Sequence, residues 1–260
     1  MIINWPLITV LFCLSIPGIL IAIKRLIYFL LPDNSEELKK RISRFAIVQT
    51  LVLTFIMAFA GSVISKSTGL HATVLEGLLE GKSNLTTLFA ILLPAVFYAC
   101  FGLIVFCSLY YVLAQRTIDE TSFQVMTKLR LALGIDGCVL YGGVTEEIIG
   151  RWGLMNLAVF FAVIFMQHIT TAVMWLSILV SGLIFAVGQL PAYLAAGCAS
   201  NRRFIYAFIV LSLTQSTIFG YLFWQYGLLC AILSHMLFHF GWSLYDIKYG
   251  SKITKNSPKK

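Results

Sequence analysis

Charged residues are scarce in this chain. They make up 12% of its 260 residues, whereas a soluble globular protein carries about a quarter. Hydrophobic residues account for 59% of the chain, and its mean hydropathy is +0.89. This composition excludes a soluble globular domain. We predict an all-α fold, a polytopic membrane helix bundle of about seven to eight transmembrane helices.

Two further absences narrow the classes of site and partner. The six cysteines all lie in apolar runs without C-x-x-C spacing, so they indicate neither a disulfide framework nor a zinc site. The N-terminal residues 1–6 lack the basic segment of a signal peptide, so we expect the first apolar run to remain as a span. The net charge of +8 comes from short loops and the tail, as the positive-inside rule predicts. We therefore expect the chain to contact the lipid bilayer and not nucleic acid.

The basic clusters also predict the orientation and the division of the chain. They all fall on one side if the N-terminus is outside and the C-terminus is cytoplasmic. We predict N-terminal transmembrane helices with a cytoplasmic connector over residues 1–130, a second helix bundle over 131–247 and a basic cytoplasmic tail over 248–260. The apolar stretch 133–167 is longer than one span. We expect it to be tilted or broken, or to consist of two pieces that meet near residues 150–153.

One segment of that stretch, Y-G-G-V-T-E-E-I-I-G-R-W-G-L-M-N over residues 141–156, places three ionisable residues at membrane depth. An ionisable residue there costs about 2.5–3.5 kcal/mol, so it needs a partner or a function. Glu147 and Arg151 stand at i and i+4, the spacing of a helical ion pair. Glu146 points about 100° away from that pair. We predict that its face carries three glycines, which allow a close approach: Gly143, Gly150 and Gly153.

Two later spans carry further polar residues. Gln189 precedes Pro191, which removes a helical hydrogen bond. His235 and His239 stand at i and i+4 on one face, which continues toward Asp246. Each set has a structural alternative, because polar side chains in membrane bundles often only join helices, at about 0.6 kcal/mol each. Their grouping in one half of the chain favours a functional site, whereas His71 and His168 are predicted to lie in outer loops without a role.

These motifs resemble a known family. The order E-E-x-x-x-R at Glu146, then F-x-x-x-Q ending at Gln189, then H-x-x-x-H beginning at His235 is similar to that of the CPBP or Abi family of intramembrane glutamic endopeptidases. That family includes type II CAAX prenyl proteases and bacteriocin-processing and self-immunity proteins. The resemblance covers about residues 133–242. It implies that residues 131–247 form a catalytic bundle, in a protein of the bacterial plasma (inner) membrane, and that its partner is a membrane peptide or protein substrate.

The resemblance also implies roles for individual residues. Glu146 would be the general base that activates water, with Glu147 and Arg151 as a supporting pair. His235 would be an oxyanion donor or a water ligand. Two positions depart from the family pattern. Gln189 stands where the family has a histidine, and an amide cannot take up a proton. His239 stands where the family has asparagine or aspartate, and a histidine can also donate a hydrogen bond.

The sequence leaves three functions open. The first is an intramembrane endopeptidase that cleaves a membrane-proximal peptide bond with glutamate-activated water, as in CAAX-type or bacteriocin-type processing, and without a cofactor or metal. The second is a catalytically impaired pseudoprotease that acts as a membrane binding or immunity protein. The third is a zinc-dependent hydrolase that uses His235 and His239 with Glu146. The sequence indicates no oligomeric state.

Overall fold

The chain forms a bundle of membrane-length helices. The computed structural model describes the backbone of residues 3–82 and 85–255 and the side chains up to residue 246. Seven helices in this part of the chain are long and apolar enough to cross a membrane, as predicted. Together with one short helix they are numbered α1 to α8 in chain order: Trp5–Leu30, Glu36–Thr68, Thr73–Leu79, Leu85–Thr117, Glu120–Met166, Thr171–Ala195, Arg202–Tyr226 and Leu228–Lys255. The predicted basic tail, residues 248–260, lies outside the residues whose side chains are described.

The helix boundaries follow from capping residues at the N-termini. Ser35, Asp119, Thr170 and Asn201 each accept a hydrogen bond from a backbone N–H three residues further on, at 2.8–3.3 Å. Each bond satisfies a donor that the first helical turn leaves unpaired. Helix α2 ends at Gly69, whose φ of 71° stops the helix. Short loops therefore connect most successive spans, whereas α2 and α4 are joined by residues 69–84, which include α3.

Helix α5 holds the acidic motif and has an irregular backbone. It contains two π-helical segments, Cys138–Thr145 and Ile148–Met155. Its one residue with non-helical dihedrals is Gly134, at φ 72° and ψ 169°. The predicted break near residues 150–153 is therefore wrong, because the helix continues through that segment with π-type hydrogen bonds. The irregular backbone at Gly134 separates the N-terminal part of α5, which begins at Glu120, from the part that contains the acidic motif.

Helices α5 and α8 lie at the centre of the bundle. Half of the membrane window of each is buried, whereas only 22% is buried in α2 and in α4. Helix α8 packs against α4, α5 and α7, and α1 and α2 pack against the other side of α5. The central pair therefore places the glutamates of α5 beside the histidines of α8. The proposed boundary between residues 130 and 131 falls inside α5, and the division of the chain into three regions stays a prediction.

Candidate active site

A cavity of about 120 Å³ lies between α4, α5, α6, α7 and α8. Three of the six residues singled out in the sequence line it: Glu146 from α5, Gln189 from α6 and His239 from α8. Tyrosine and glutamine side chains complete its polar wall, including Tyr193 and Gln215. A cavity of this size with several polar groups can hold more than one water molecule.

Glu146 faces this cavity and has a neutral partner. The side-chain amide of Gln189 donates a hydrogen bond to Glu146 Oε1 over 2.8 Å. Both side chains are partly exposed to the cavity. No cation that the structure describes forms an ion pair with Glu146. Its carboxylate therefore keeps lone pairs that can accept from water.

Glu147 is fully buried and joins two other site residues. Its Oε1 lies 3.3 Å from Arg151 Nη1 and 2.6 Å from His235 Nδ1. The i,i+4 pair expected between Glu147 and Arg151 is thus formed, and it includes a histidine from another helix. In the neutral imidazole, Nδ1–H donates to this carboxylate and Nε2 is left as an acceptor. Glu147 therefore fixes the orientation of the His235 ring, and with it the direction of Nε2.

His239 stands one helical turn after His235 with its ring beside the cavity. The two imidazole rings stack, with centroids 4.6 Å apart and planes 20° apart. Neither ring nitrogen of His239 has a hydrogen-bond partner among the described residues, and neither has His235 Nε2. Gly142 of α5 permits this placement, because a Cβ at that position would lie 2.6 Å from His239 Cδ2. Buried polar atoms normally have partners, so these three nitrogens mark a place for water or a ligand.

The three glycines predicted to share the face of Glu146 are separated. A Cβ on Gly150 would approach Phe185 of α6, the helix that carries Gln189. A Cβ on Gly143 would instead meet Met236 of α8, and one on Gly153 would meet Met57 of α2. The prediction of a single face is therefore wrong for Gly153, which faces α2. A π-helical turn contains an additional residue, so residues seven apart no longer align.

A second charged cluster lies beside the cavity, and little in the sequence indicates it. Arg130 of α5 forms a buried ion pair with Asp246 of α8, and both residues contact the Tyr111 hydroxyl. The Arg130 guanidinium lies 3.6 Å from the ring centroid of Trp242, which also lines the cavity. In the sequence, Arg130 is one of several basic residues near the expected cytoplasmic connector, so its buried ion pair could not be predicted from its position. The one indication in the sequence is Asp246, which lies on the same helix face as the two histidines and would need a basic partner if buried.

The site also contains a set of atoms that can bind a metal ion. Glu146, His235 and His239 each offer a ligand atom, and these atoms all lie within 4.8 Å of one another. Two histidines and one carboxylate form the ligand set of several catalytic zinc sites. The contact between His235 Nδ1 and Glu147 is also the arrangement that orients histidine ligands to zinc. The residues present therefore fit a divalent metal ion as well as a water molecule.

The predicted residues thus fall into two groups. Glu146, Gln189 and His239 surround the cavity, and His235 lies against His239. Glu147 contacts both Arg151 and His235, and neither Glu147 nor Arg151 lines the cavity. Of the residues predicted to have no role, His71 is partly exposed and His168 is exposed, outside this cluster.

Comparison with known proteins supports the resemblance. A family model described as type II CAAX prenyl endopeptidase, Rce1-like, matches residues 129–241. These residues include Glu146, Glu147, Arg151, Gln189, His235 and His239. No curated protein and no solved structure matches the chain.

Proposed function

Because residues 129–241 are similar to type II CAAX prenyl endopeptidases, we propose that this integral membrane protein is an intramembrane endopeptidase that uses water activated by Glu146. One observation carries the proposal. A carboxylate and two imidazoles converge within 4.8 Å beside a cavity, and three ring nitrogens there have no partner among the described residues. The expected reaction is hydrolysis of a membrane-proximal peptide bond, as in CAAX-type or bacteriocin-type processing.

Glu146 is the general base in this proposal. Water held between Glu146 and His235 Nε2 donates a proton to the carboxylate as its oxygen attacks the substrate carbonyl. The protonated Glu146 then returns that proton to the leaving amine when the C–N bond breaks. Gln189 holds the carboxylate in place through its 2.8 Å hydrogen bond and takes no proton.

The two histidines have different proposed roles, one toward the water and one toward the oxyanion. His235 donates through Nδ1 to Glu147, so its Nε2 is suited to accept a hydrogen bond from the water. His239 has no such fixed partner among the described residues, and either of its nitrogens can carry the proton. It is therefore the candidate donor to the developing oxyanion. Glu147 and Arg151 act through His235, as positioning residues.

The substrate is proposed to be a membrane peptide or protein cut near the cytoplasmic face. Arg130, which is paired with Asp246, lines the cavity on the side of the basic loops, and these loops are cytoplasmic by the positive-inside rule. A scissile bond close to that face reaches Glu146 without crossing the bilayer. The membrane proposed for this protein is the bacterial plasma membrane.

The decisive variant is Glu146→Gln, which keeps the size of the side chain and removes the base. We expect cleavage to fall by a factor of about 10²–10⁴, the usual contribution of a general base. The matched control is Glu37→Gln, the same chemical change at an exposed residue of the first turn of α2, and it should cleave at the wild-type rate.

Two assays make this test possible before the substrate is known. The first uses an internally quenched peptide that ends in a prenylated Cys-aliphatic-aliphatic-X sequence. The second compares the new termini of membrane proteins in cells that express the wild type or the Glu146→Gln variant. Equal cleavage by both proteins would refute the role of Glu146. Cleavage by the wild type in neither assay would favour the second hypothesis, a membrane binding or immunity protein, which Gln189 at the family's histidine position motivates.

A metal-dependent hydrolase is the second candidate, and the ligand set at Glu146, His235 and His239 favours it. A bound divalent ion would supply a Lewis acid and an activated water. Elemental analysis of protein purified without chelators distinguishes the two candidates. One equivalent of zinc, lost together with activity in His239→Ala, supports the metal; less than one tenth of an equivalent in an active preparation excludes it.

A further inference from the structure

An apolar groove of about 490 Å³ lies on the outer surface of the bundle, between the end of α4 and the beginning of α7. Leu113 of α4 and Val210 of α7 form its walls, and both are exposed on the surface. Leu211 lines this groove and also the cavity that contains Glu146. Helix α7 is therefore the wall between the two spaces, and the groove opens toward lipid.

Two arginines stand at one end of the groove. Arg116 follows the π-helical segment of α4, and Arg203 belongs to the first turn of α7. Both are exposed, and neither forms an ion pair with any residue that the structure describes. The exposed Tyr206 lies beside them. An aromatic residue with a polar tip is typical of the depth at which lipid headgroups lie.

The acidic residues nearest in sequence form no ion pair with these two arginines. Asp119 accepts a hydrogen bond from the Ser122 backbone N–H over 2.8 Å and caps α5. Glu120 accepts from the Gln124 side chain over 2.8 Å. The mouth of the groove therefore has two unpaired positive charges next to an apolar channel. Both arginines also lie on the side of the membrane that the positive-inside rule assigns to the cytoplasm.

We propose that this groove binds one anionic phospholipid of the cytoplasmic leaflet, with its phosphate between Arg116 and Arg203 and one acyl chain along Leu113 and Val210. The charge of the mouth selects an anionic headgroup over a zwitterionic one, and the apolar channel selects a lipid over free phosphate. The site is separate from the catalytic cavity. A result that refutes lipid binding would therefore leave the proposed peptidase function intact, and a result that refutes the peptidase function would leave the lipid site intact.

Native mass spectrometry of the detergent-purified protein tests this proposal. The protein is titrated with phosphatidylglycerol or phosphatidylcholine of the same acyl composition. We expect one phosphatidylglycerol molecule to bind tightly and phosphatidylcholine to bind clearly more weakly. An arginine near a charged lipid surface contributes about a five-fold factor in binding, so Arg116→Gln with Arg203→Gln should weaken phosphatidylglycerol about 25-fold. The same double variant should leave the binding of phosphatidylcholine unchanged.

Two further variants separate a built site from general attraction. Arg41→Gln with Arg44→Gln removes the same net charge from exposed positions of α2 on the same side, and it should bind phosphatidylglycerol like the wild type. Val210→Trp fills the channel from an exposed position and should weaken the binding of both lipids. Circular dichroism of each variant confirms the fold.

Three results would overturn the proposal. The first is equal binding of the two lipids to the wild type, and the second is an equal loss in both arginine pairs, which would indicate diffuse electrostatics. The third is unchanged phosphatidylglycerol binding in a folded Val210→Trp variant, which would show that the headgroup binds without the groove.

Discussion

Replacing Gly142 by alanine should damage the site without altering any residue proposed to react. The added Cβ would lie 2.6 Å from His239 Cδ2, whereas two carbon atoms in contact are normally 3.5–4.0 Å apart. The backbones of α5 and α8 are packed closely here, so the imidazole must move by about 1 Å. A displacement of this size in a catalytic group costs about 100-fold in rate. We therefore expect Gly142→Ala to cleave the quenched prenylated peptide about 100-fold more slowly than the wild type.

Gly150→Ala is the matched control for this experiment. It is the same substitution in the same helix, but its Cβ would lie 3.7 Å from Phe185 Cδ2, which is an ordinary contact. Its cleavage rate should be close to that of the wild type. The double variant Gly142→Ala with His239→Ala removes the collision, so adding Gly142→Ala to the His239→Ala variant should not lower its unfolding temperature further. Wild-type cleavage by a folded Gly142→Ala variant would refute the placement of His239 in the site.

Three further predictions concern stability, proton transfer and metal. Glu147→Ala leaves the charge of Arg151 buried and unpaired, and should destabilise the protein by about 3–5 kcal/mol. Asp136→Ala breaks the half-exposed pair with Arg25 and should cost at most about 1 kcal/mol; equal shifts in thermal unfolding would contradict this contrast. Gln189→His adds a second proton acceptor beside Glu146 and should raise the rate of peptide cleavage at least several-fold. Slower cleavage by this variant would disprove the benefit of a second proton acceptor. Dialysis against a chelator should leave the cleavage rate unchanged if Glu146 alone activates the water, whereas loss of cleavage restored by zinc would favour the metal-dependent candidate.

The architecture and one side-chain pair could be predicted because they depend on local sequence. Apolar runs long enough to cross a bilayer determine the seven spans. The ion pair between Glu147 and Arg151 follows from their i,i+4 spacing, which keeps two side chains adjacent on any helix. Neither prediction requires knowledge of which helices are neighbours.

The contacts between helices could not be predicted in the same way. The hydrogen bond between Gln189 and Glu146 joins residues 43 positions apart, and the contact between His235 and Glu147 joins residues 88 positions apart. A single sequence carries no signal for the packing that creates such pairs. The π-helical segments of α5 add a second difficulty, because they shift the phase of every face that was predicted from a regular α-helix. Gly153 illustrates this shift, since it faces α2 and not the cavity.

The difference between the two adjacent glutamates explains why only one of them suits catalysis. Glu147 is enclosed by an arginine and a histidine, so its charge is balanced and its lone pairs are largely committed. Glu146 has only the neutral amide of Gln189 as a partner among the described residues, and it faces the cavity. A gain or loss of charge in the cavity therefore acts strongly on Glu146, because no described cation forms an ion pair with its carboxylate. Glu147 can thus serve as a buried structural carboxylate, while its sequence neighbour Glu146 stays available to take a proton from water.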